Sequence, residues 1–366
     1  MATISFARGV PAPECLPVEA LADCARAALE RDGRTILSYG TSRGYAPLVD
    51  LLAERHGVEP NRLFLTNGSL QGFVFLAQRL APGRRVLVEQ PTYDRPLKIL
   101  RELGADVVPL HCDEDGLDPD ALEQALAAGE SPAFLYVIPT FQNPSGRTLD
   151  LERRRRIAEL AAEHDLLVLE DDPYGLVRYE GEPLPSLFEL SERRIAYSSS
   201  FSKTISPGLR VGWFVLPEAL AGAIAATATA TYISPVLLGQ ATVHEFVTRG
   251  EFEPNLERVR LLLRARRDAM ADALQAELSE LDANRPEGGY FVWGELEGVD
   301  ARELLREAEA AGVTFVPGTD FGGEPGSLRL AFSFVSPEEI GEGVARLKAA
   351  LSATQGRFTP PTARAG

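Results

Sequence analysis

Residues 198–213, SSSFSKTISPGLRVGW, set five serines and one threonine around a single lysine, Lys203. Lysine is scarce in this chain: Lys98, Lys203 and Lys348 are the only lysines among 37 Lys and Arg. Arginine keeps its proton in a protein, whereas a lysine amine can shift its pKa and act as a neutral nucleophile. A lone lysine is ordinarily a surface charge, but here arginine fills that role. A retained lysine among hydroxyls suits an amine that attacks a carbonyl carbon and forms a Schiff base.

Other polar groups follow short apolar runs. TNGSLQG carries Ser69 at the start of a helical pattern, where free N–H groups and the helix dipole suit a phosphate, though a plain N-cap explains it as well. PTYDRP carries Tyr93, PTFQNPSG carries Asn143, and EDDPY carries Asp171 and Tyr174. Taken singly, NPSG is a turn and each tyrosine a packing residue. Asp171, directly after an apolar run, would be partly buried and need a cationic partner. Ser200, Ser202 and Arg210 surround Lys203 in sequence. A lysine, a phosphate cup, a stacking ring and a carboxylate for a ring nitrogen are what pyridoxal 5'-phosphate needs.

These residues require elements that bring them together. Apolar runs at 62–68, 85–90, 106–110, 133–139, 166–172, 194–200 and 210–216 read as strands. Amphipathic helical segments lie between most of them. The pattern predicts an α/β fold whose large domain is a seven-stranded, mostly parallel sheet covered by helices on both faces. The last two strands are joined too closely for a helical crossover, so one is antiparallel. Ligands of such sheets bind at the carboxyl ends of the strands, where the polar residues above fall. Beyond residue 217, strand patterns at 288–296, 312–318 and 327–334 with a helix between them predict a smaller α/β domain. The expected division is an N-terminal segment, 1–35, packing with the small domain; a large domain, 36–280; a small domain, 281–355; and a flexible tail, 356–366.

Bulk properties exclude several classes. A net charge of −16 argues against a nucleic-acid partner. The one basic cluster, RRRR at 153–156, reads as a solvated helix face. Three irregularly spaced cysteines and four scattered histidines indicate neither a disulfide framework nor a metal site. No secretory signal or membrane-spanning run is evident, so a cytoplasmic location is expected.

The order and spacing of NPSG, EDDPY and SFSKTISPGLRVGW resemble fold-type I pyridoxal-phosphate aminotransferases of class I/II. The nearest pattern is the branch holding 2-aminoadipate and kynurenine aminotransferases and the catalytic half of MocR-type regulators. The resemblance runs from ISFARGVPAPE through SLRLAFSF. It implies a homodimer moving an amino group between an L-amino acid and a 2-oxo acid by a ping-pong Schiff-base mechanism. Lys203, Asp171 and Tyr174 would be catalytic. Asn143 and Tyr174 would bond the cofactor's ring oxygen, and Tyr93 would stack on the ring. Ser69, the Leu70 backbone, Ser200, Ser202 and Arg210 would bind phosphate, with Tyr39 reaching across the dimer. Arg329 would clamp the substrate carboxylate, with Asn143, Gly9, Gly40 and Arg8 around the substrate. Arg8 and Leu70 depart from the branch's usual pattern. The same scaffold also supports β-lyase, decarboxylase and racemase chemistry, and a non-catalytic sensor of the MocR kind.

Overall fold

The computed structural model describes residues 2–191 and 193–358. Strand β1 (Ile4–Ser5) belongs to the smaller layer. The large sheet is built from β2 (Leu63–Thr66), β3 (Arg85–Gln90), β4 (Asp106–Asp113), β5 (Gly116–Leu117), β6 (Phe134–Val137), β7 (Val168–Asp171), β8 (Ile195–Ser200) and β9 (Gly212–Val215). Its order is β2-β9-β8-β7-β6-β3-β4-β5. The seven expected strands are all present, and the two-residue β5 adds an eighth at the edge. Strands β4-β3-β6-β7-β8 pair in parallel. The expected antiparallel strand is β9, which runs against both β8 and β2. Strand β2 therefore ends at the same edge as β6, β7 and β8, which brings Ser69 toward Lys203.

Alternation along the strands decides which side chains meet the site. Leu135, Val137, Val168, Ile195 and Tyr197 face one core, with the helices Val18–Ile36, Ala46–His56, Leu151–Glu163 and Leu237–Thr248 against it. Phe134, Tyr136, Leu169 and Ala196 face the other, under the helices Ser69–Leu80, Asp94–Glu102 and Glu218–Tyr232. Both faces are thus apolar and covered, the condition for near-continuously apolar parallel strands.

The smaller layer holds β10 (Asp282–Ala283), β11 (Phe291–Glu295), β12 (Val313–Thr314), β13 (Val316–Pro317) and β14 (Ser327–Ala331). A four-stranded sheet runs β10-β11-β14-β13, while β1 pairs in parallel with β12. Two expectations need correction. Only the start of segment 1–35 joins this layer: Ile4 and Phe6 enter its core, whereas Cys15, Cys24, Ala28 and Ile36 enter the large one. The reason is the apolar stripe of helix Val18–Ile36, which packs on Leu237–Thr248. A boundary at 280 also misses the helix Phe252–Glu277, which buries Leu256, Val259 and Leu263 in the large core and Met270 and Leu274 in the small one. Residues 356–358 of the expected tail finish the helix Pro337–Phe358; the others lie outside the described residues.

The RRRR reading is corrected as well. Arg153 pairs with Asp113, and Arg154 is 1% exposed. Arg154 donates to the carbonyls of Pro139, Leu149 and Pro185 and to the Thr140 hydroxyl. A buried guanidinium is tolerated when its N–H groups find such acceptors. These bonds hold both ends of the 139–149 loop, which carries Asn143.

Candidate active site

A cavity of about 490 Å3 opens at the carboxyl ends of β6, β7 and β8. Strand parity feeds it: Tyr136 and Ile138, Leu169 and Asp171, Ser198 and Ser200 all line it, each pair two residues apart. The small layer closes it from across with Phe291, Val316, Phe321 and Arg329.

One end is built for an anion. The helix Ser69–Leu80 begins there, so its first backbone N–H groups have no acceptors within the helix. Gly68, at φ 88°, makes the turn, and a Cβ at this position would run into the Arg210 guanidinium. Arg210 sits in the left-handed region at φ 54°, costly for a residue other than glycine. Its Nη1 and Nη2 donate to the carbonyls of Pro207 and Asn67, each at 3.2 Å. A Cβ at Gly212 would collide with the backbone of Gly68 and Ser69, so β9 must carry glycine where it passes the turn. The Ser200 and Ser202 hydroxyls lie 2.8 Å apart at the same end. Gly68→Ala is expected to weaken binding of pyridoxal 5'-phosphate by about tenfold or more, through the strained φ and the displaced guanidinium. Pyridoxal without phosphate should bind the variant and the parent alike; titrating apoprotein with both compounds checks this.

At the centre, Lys203 Nζ donates to the Gly9 carbonyl at 3.0 Å. It stands 5.2 Å from the Tyr290 ring centre and 5.5 Å from that of Tyr174. Tyr290 Oη donates to the Lys203 carbonyl at 3.0 Å and fixes the turn. Withdrawal from water, together with the positive charges of Arg329 and Arg210, lowers the Lys203 pKa from 10.5 to about 8 against the opposing charge of Asp171. The sign of the pH dependence follows. Between pH 8 and 10.5 the folded chain holds fewer protons at this amine than the unfolded chain, so its contribution to stability rises with pH there. Capture of pyridoxal 5'-phosphate by apoprotein should accelerate with pH and level off above about 8. A stopped-flow series from pH 6 to 10 measures it; a rate still climbing tenfold per unit through pH 9 would contradict the assignment.

Asp171 accepts hydrogen bonds from Tyr136 Oη at 2.8 Å and Ser198 Oγ at 3.0 Å. Withdrawal from water raises its pKa to about 6 against the pull of these two donors and the Lys203 charge, with Asp172 adding to the rise. Arg329 is 7% exposed. Its Nη1 donates to Asn143 Oδ1 at 2.8 Å and Nη2 to the Ala7 carbonyl at 2.9 Å, while buried Nε finds no partner among the described residues. Its guanidinium carbon lies 4.3 Å from the Phe291 ring centre and 4.7 Å from that of Phe321. Burial lowers its pKa to about 10, which still leaves it charged at neutral pH. A buried cation whose partners among the described residues are a carbonyl, an amide oxygen and two ring faces calls for an anion.

Of the residues singled out in sequence, Gly9, Ser69, Leu70, Tyr93, Asn143, Asp171, Tyr174, Ser200, Ser202, Lys203, Arg210 and Arg329 line this one cavity. Tyr39, Gly40 and Arg8 do not. Tyr39 is 84% exposed, Gly40 packs on Leu237, and Arg8 lies over the Phe334 ring. Sequence reasoning gave no role to Tyr136, Ser198, Tyr290, Phe291 or Phe321. Strand alternation was enough to find the first two, two residues before Ile138 and Ser200. The other three come from the small layer, and no local signal ties them to Lys203.

The cavity fits pyridoxal 5'-phosphate on its own geometry. Anion donors and a turn that excludes a Cβ stand at one end, a carboxylate whose donors among the described residues are two hydroxyls stands in the sheet, and the lowered-pKa amine lies between. The volume falls within the usual range for small-ligand sites.

Comparison with known proteins agrees. The family "Aminotransferase class I and II" matches residues 12–347. The chain is 42% identical to 2-aminoadipate transaminase of Thermus thermophilus, over 95% of this chain and 90% of that one. It is 33% identical to aromatic-amino-acid aminotransferase 1 of Thermococcus litoralis, over 94% and 87%. The crystal structure of the α-aminoadipate aminotransferase LysN from Thermus thermophilus, complexed with N-(5'-phosphopyridoxyl)-L-leucine, superposes with a TM-score of 0.92. That match has 38% identity and covers 97% of this chain and 94% of the other.

Proposed function

The chain belongs to the class I and II aminotransferases, and we propose that the cavity around Lys203 is where it moves an amino group between an L-amino acid and a 2-oxo acid. Its cofactor is pyridoxal 5'-phosphate, which when bound supplies a carbonyl for the amine and an electron-withdrawing ring that drains charge from the substrate Cα. The observation that carries the site assignment is the shared cavity of a lowered-pKa amine, Lys203, and an unneutralised guanidinium, Arg329.

In this reading each residue has one task. Lys203 Nζ would hold the cofactor at its carbonyl carbon and, as the free amine, would carry the substrate Cα proton. Asp171 holds a proton on the ring nitrogen. Asn143 and Tyr174 bond the ring oxygen, and Tyr93 stacks on the ring. Ser69, the Leu70 N–H, Ser200, Ser202 and Arg210 hold the phosphate. Arg329 takes the substrate carboxylate in a two-pronged contact, its plane held between Phe291 and Phe321. Gly9 brings backbone close to the reacting atoms.

The proposal extends to a cytoplasmic homodimer in which Tyr39 reaches the phosphate of a second copy. It is supported by exposed Leu37 and Tyr39 on one loop and exposed Ile233 and Val236 on another, which meet where Gly40 packs on Leu237. Arg8 and Gly40 belong to the substrate entrance in the same reading. Sedimentation should find a dimer, and Tyr39→Phe should weaken cofactor retention; a monomer with full activity would contradict this part.

Borohydride reduction of the loaded protein, followed by peptide mapping, tests the site. The label should fall on Lys203. A label on Lys98 or Lys348 would overturn the assignment.

A further inference from the structure

Asp171 is held from both neighbouring strands. Ser198 pairs directly with it across β7 and β8, and its hydroxyl donates to Oδ1 at 3.0 Å. Tyr136 on β6 pairs with Leu169, one alternation earlier, and its longer side chain spans that step to donate to Oδ2 at 2.8 Å. Tyr136 is itself fixed: it is 1% exposed, with its ring edge-on to Phe73 at 5.3 Å.

The chemistry of these donors is particular. A lysine or arginine in either place would neutralise the carboxylate and compete with a protonated ring nitrogen for it. A hydroxyl stabilises the anion and leaves its charge in place. Burial and the neighbouring Asp171 push ionisation of the Tyr136 phenol far above its ordinary range, so it remains a donor at working pH. Ser198 has no accessible ionisation. Each oxygen of Asp171 thus has one permanent neutral donor.

We propose that Tyr136 and Ser198 are positioning residues that hold Asp171 as an aimed anion, and that they thereby set how strongly the site grips a protonated ring nitrogen. The proposal rests on the reading of Asp171 as the ring-nitrogen partner. Tyr136 contributes more than Ser198, because its bond is shorter and its ring locked.

Two cofactors tested on apoprotein separate this from simple packing. One is pyridoxal 5'-phosphate; the other is its analogue with the ring nitrogen replaced by carbon, which cannot bear the proton. Dissociation constants are measured by quenching of protein fluorescence. Tyr136→Phe should weaken binding of pyridoxal 5'-phosphate about tenfold and Ser198→Ala a few-fold. Binding of the carbon analogue should change by less than about twofold in either variant. Equal weakening of both compounds, or no weakening of the first, would overturn the proposal. If Tyr136→Phe fails to fold, Ser198→Ala must show the selective loss alone, and equal or absent loss there overturns it. Failure of the parent protein to bind pyridoxal 5'-phosphate would instead defeat the underlying site reading.

Discussion

Lys203→Ala leaves a folded protein that has lost about 10^3-fold or more of its amino-transfer rate and carries no borohydride-stable cofactor. The magnitude combines a missing nucleophile with a missing proton carrier, the latter alone worth about 10^2- to 10^4-fold. Folding should survive, because removing this amine removes a partly desolvated charge rather than a core contact. Its bonds in the structure are one to the Gly9 carbonyl, from Nζ, and one from Tyr290 Oη to its own backbone carbonyl, which alanine retains. Added pyridoxal 5'-phosphate should still bind the variant through the Arg210 and Ser69 end, without covalent attachment. Lys203→Arg tests the chemical reasoning directly. It restores a cation but not an amine that can give up its proton, and it should be as inactive as the alanine variant.

Arg329→Leu has the second-largest expected effect. A buried charged contact to a carboxylate is worth about 2–5 kcal/mol when one partner is removed, a fall in kcat/KM of about 30- to 5,000-fold. If Arg329 grips the substrate alike before and during reaction, the loss falls mainly on KM. Arg329→Lys should recover little, since an ammonium cannot present two parallel N–H groups. The same variants should lose far less toward an amine that lacks the carboxylate. Equal losses for the amino acid and the amine would assign Arg329 to holding Asn143 and Ala7 in place, which it also contacts.

Much of this site was legible because it is made of short local signals. An apolar strand, a turn and a polar residue recur at residues 66–69, 137–143, 168–174 and 198–203, and a parallel sheet gathers such turns at one edge. The scarcity of lysine singled out Lys203. What was not legible depends on packing between distant segments. Nothing near Arg154 says that it will be buried under the loop carrying Asn143; its neighbours read as a charged helix face. Helix Val18–Ile36 has an apolar stripe but no mark of which layer it will cover. Tyr136 looked like one more aromatic in a strand, and its bond to Asp171 exists only once β6 and β7 are in register. The rings flanking Arg329 come from β11 and from residues just after β13, again a matter of assembly.

The most direct test of the account is a single half-reaction. Protein loaded with pyridoxal 5'-phosphate is mixed in turn with an excess of each L-amino acid and no 2-oxo acid, to find the donor it accepts. One equivalent of 2-oxo acid per active site should form and then stop. The cofactor should be recovered as pyridoxamine 5'-phosphate, and a second 2-oxo acid should restart turnover. Continuous release of ammonia or carbon dioxide without an acceptor, or a racemised amino acid with no 2-oxo acid, would contradict amino transfer at this site.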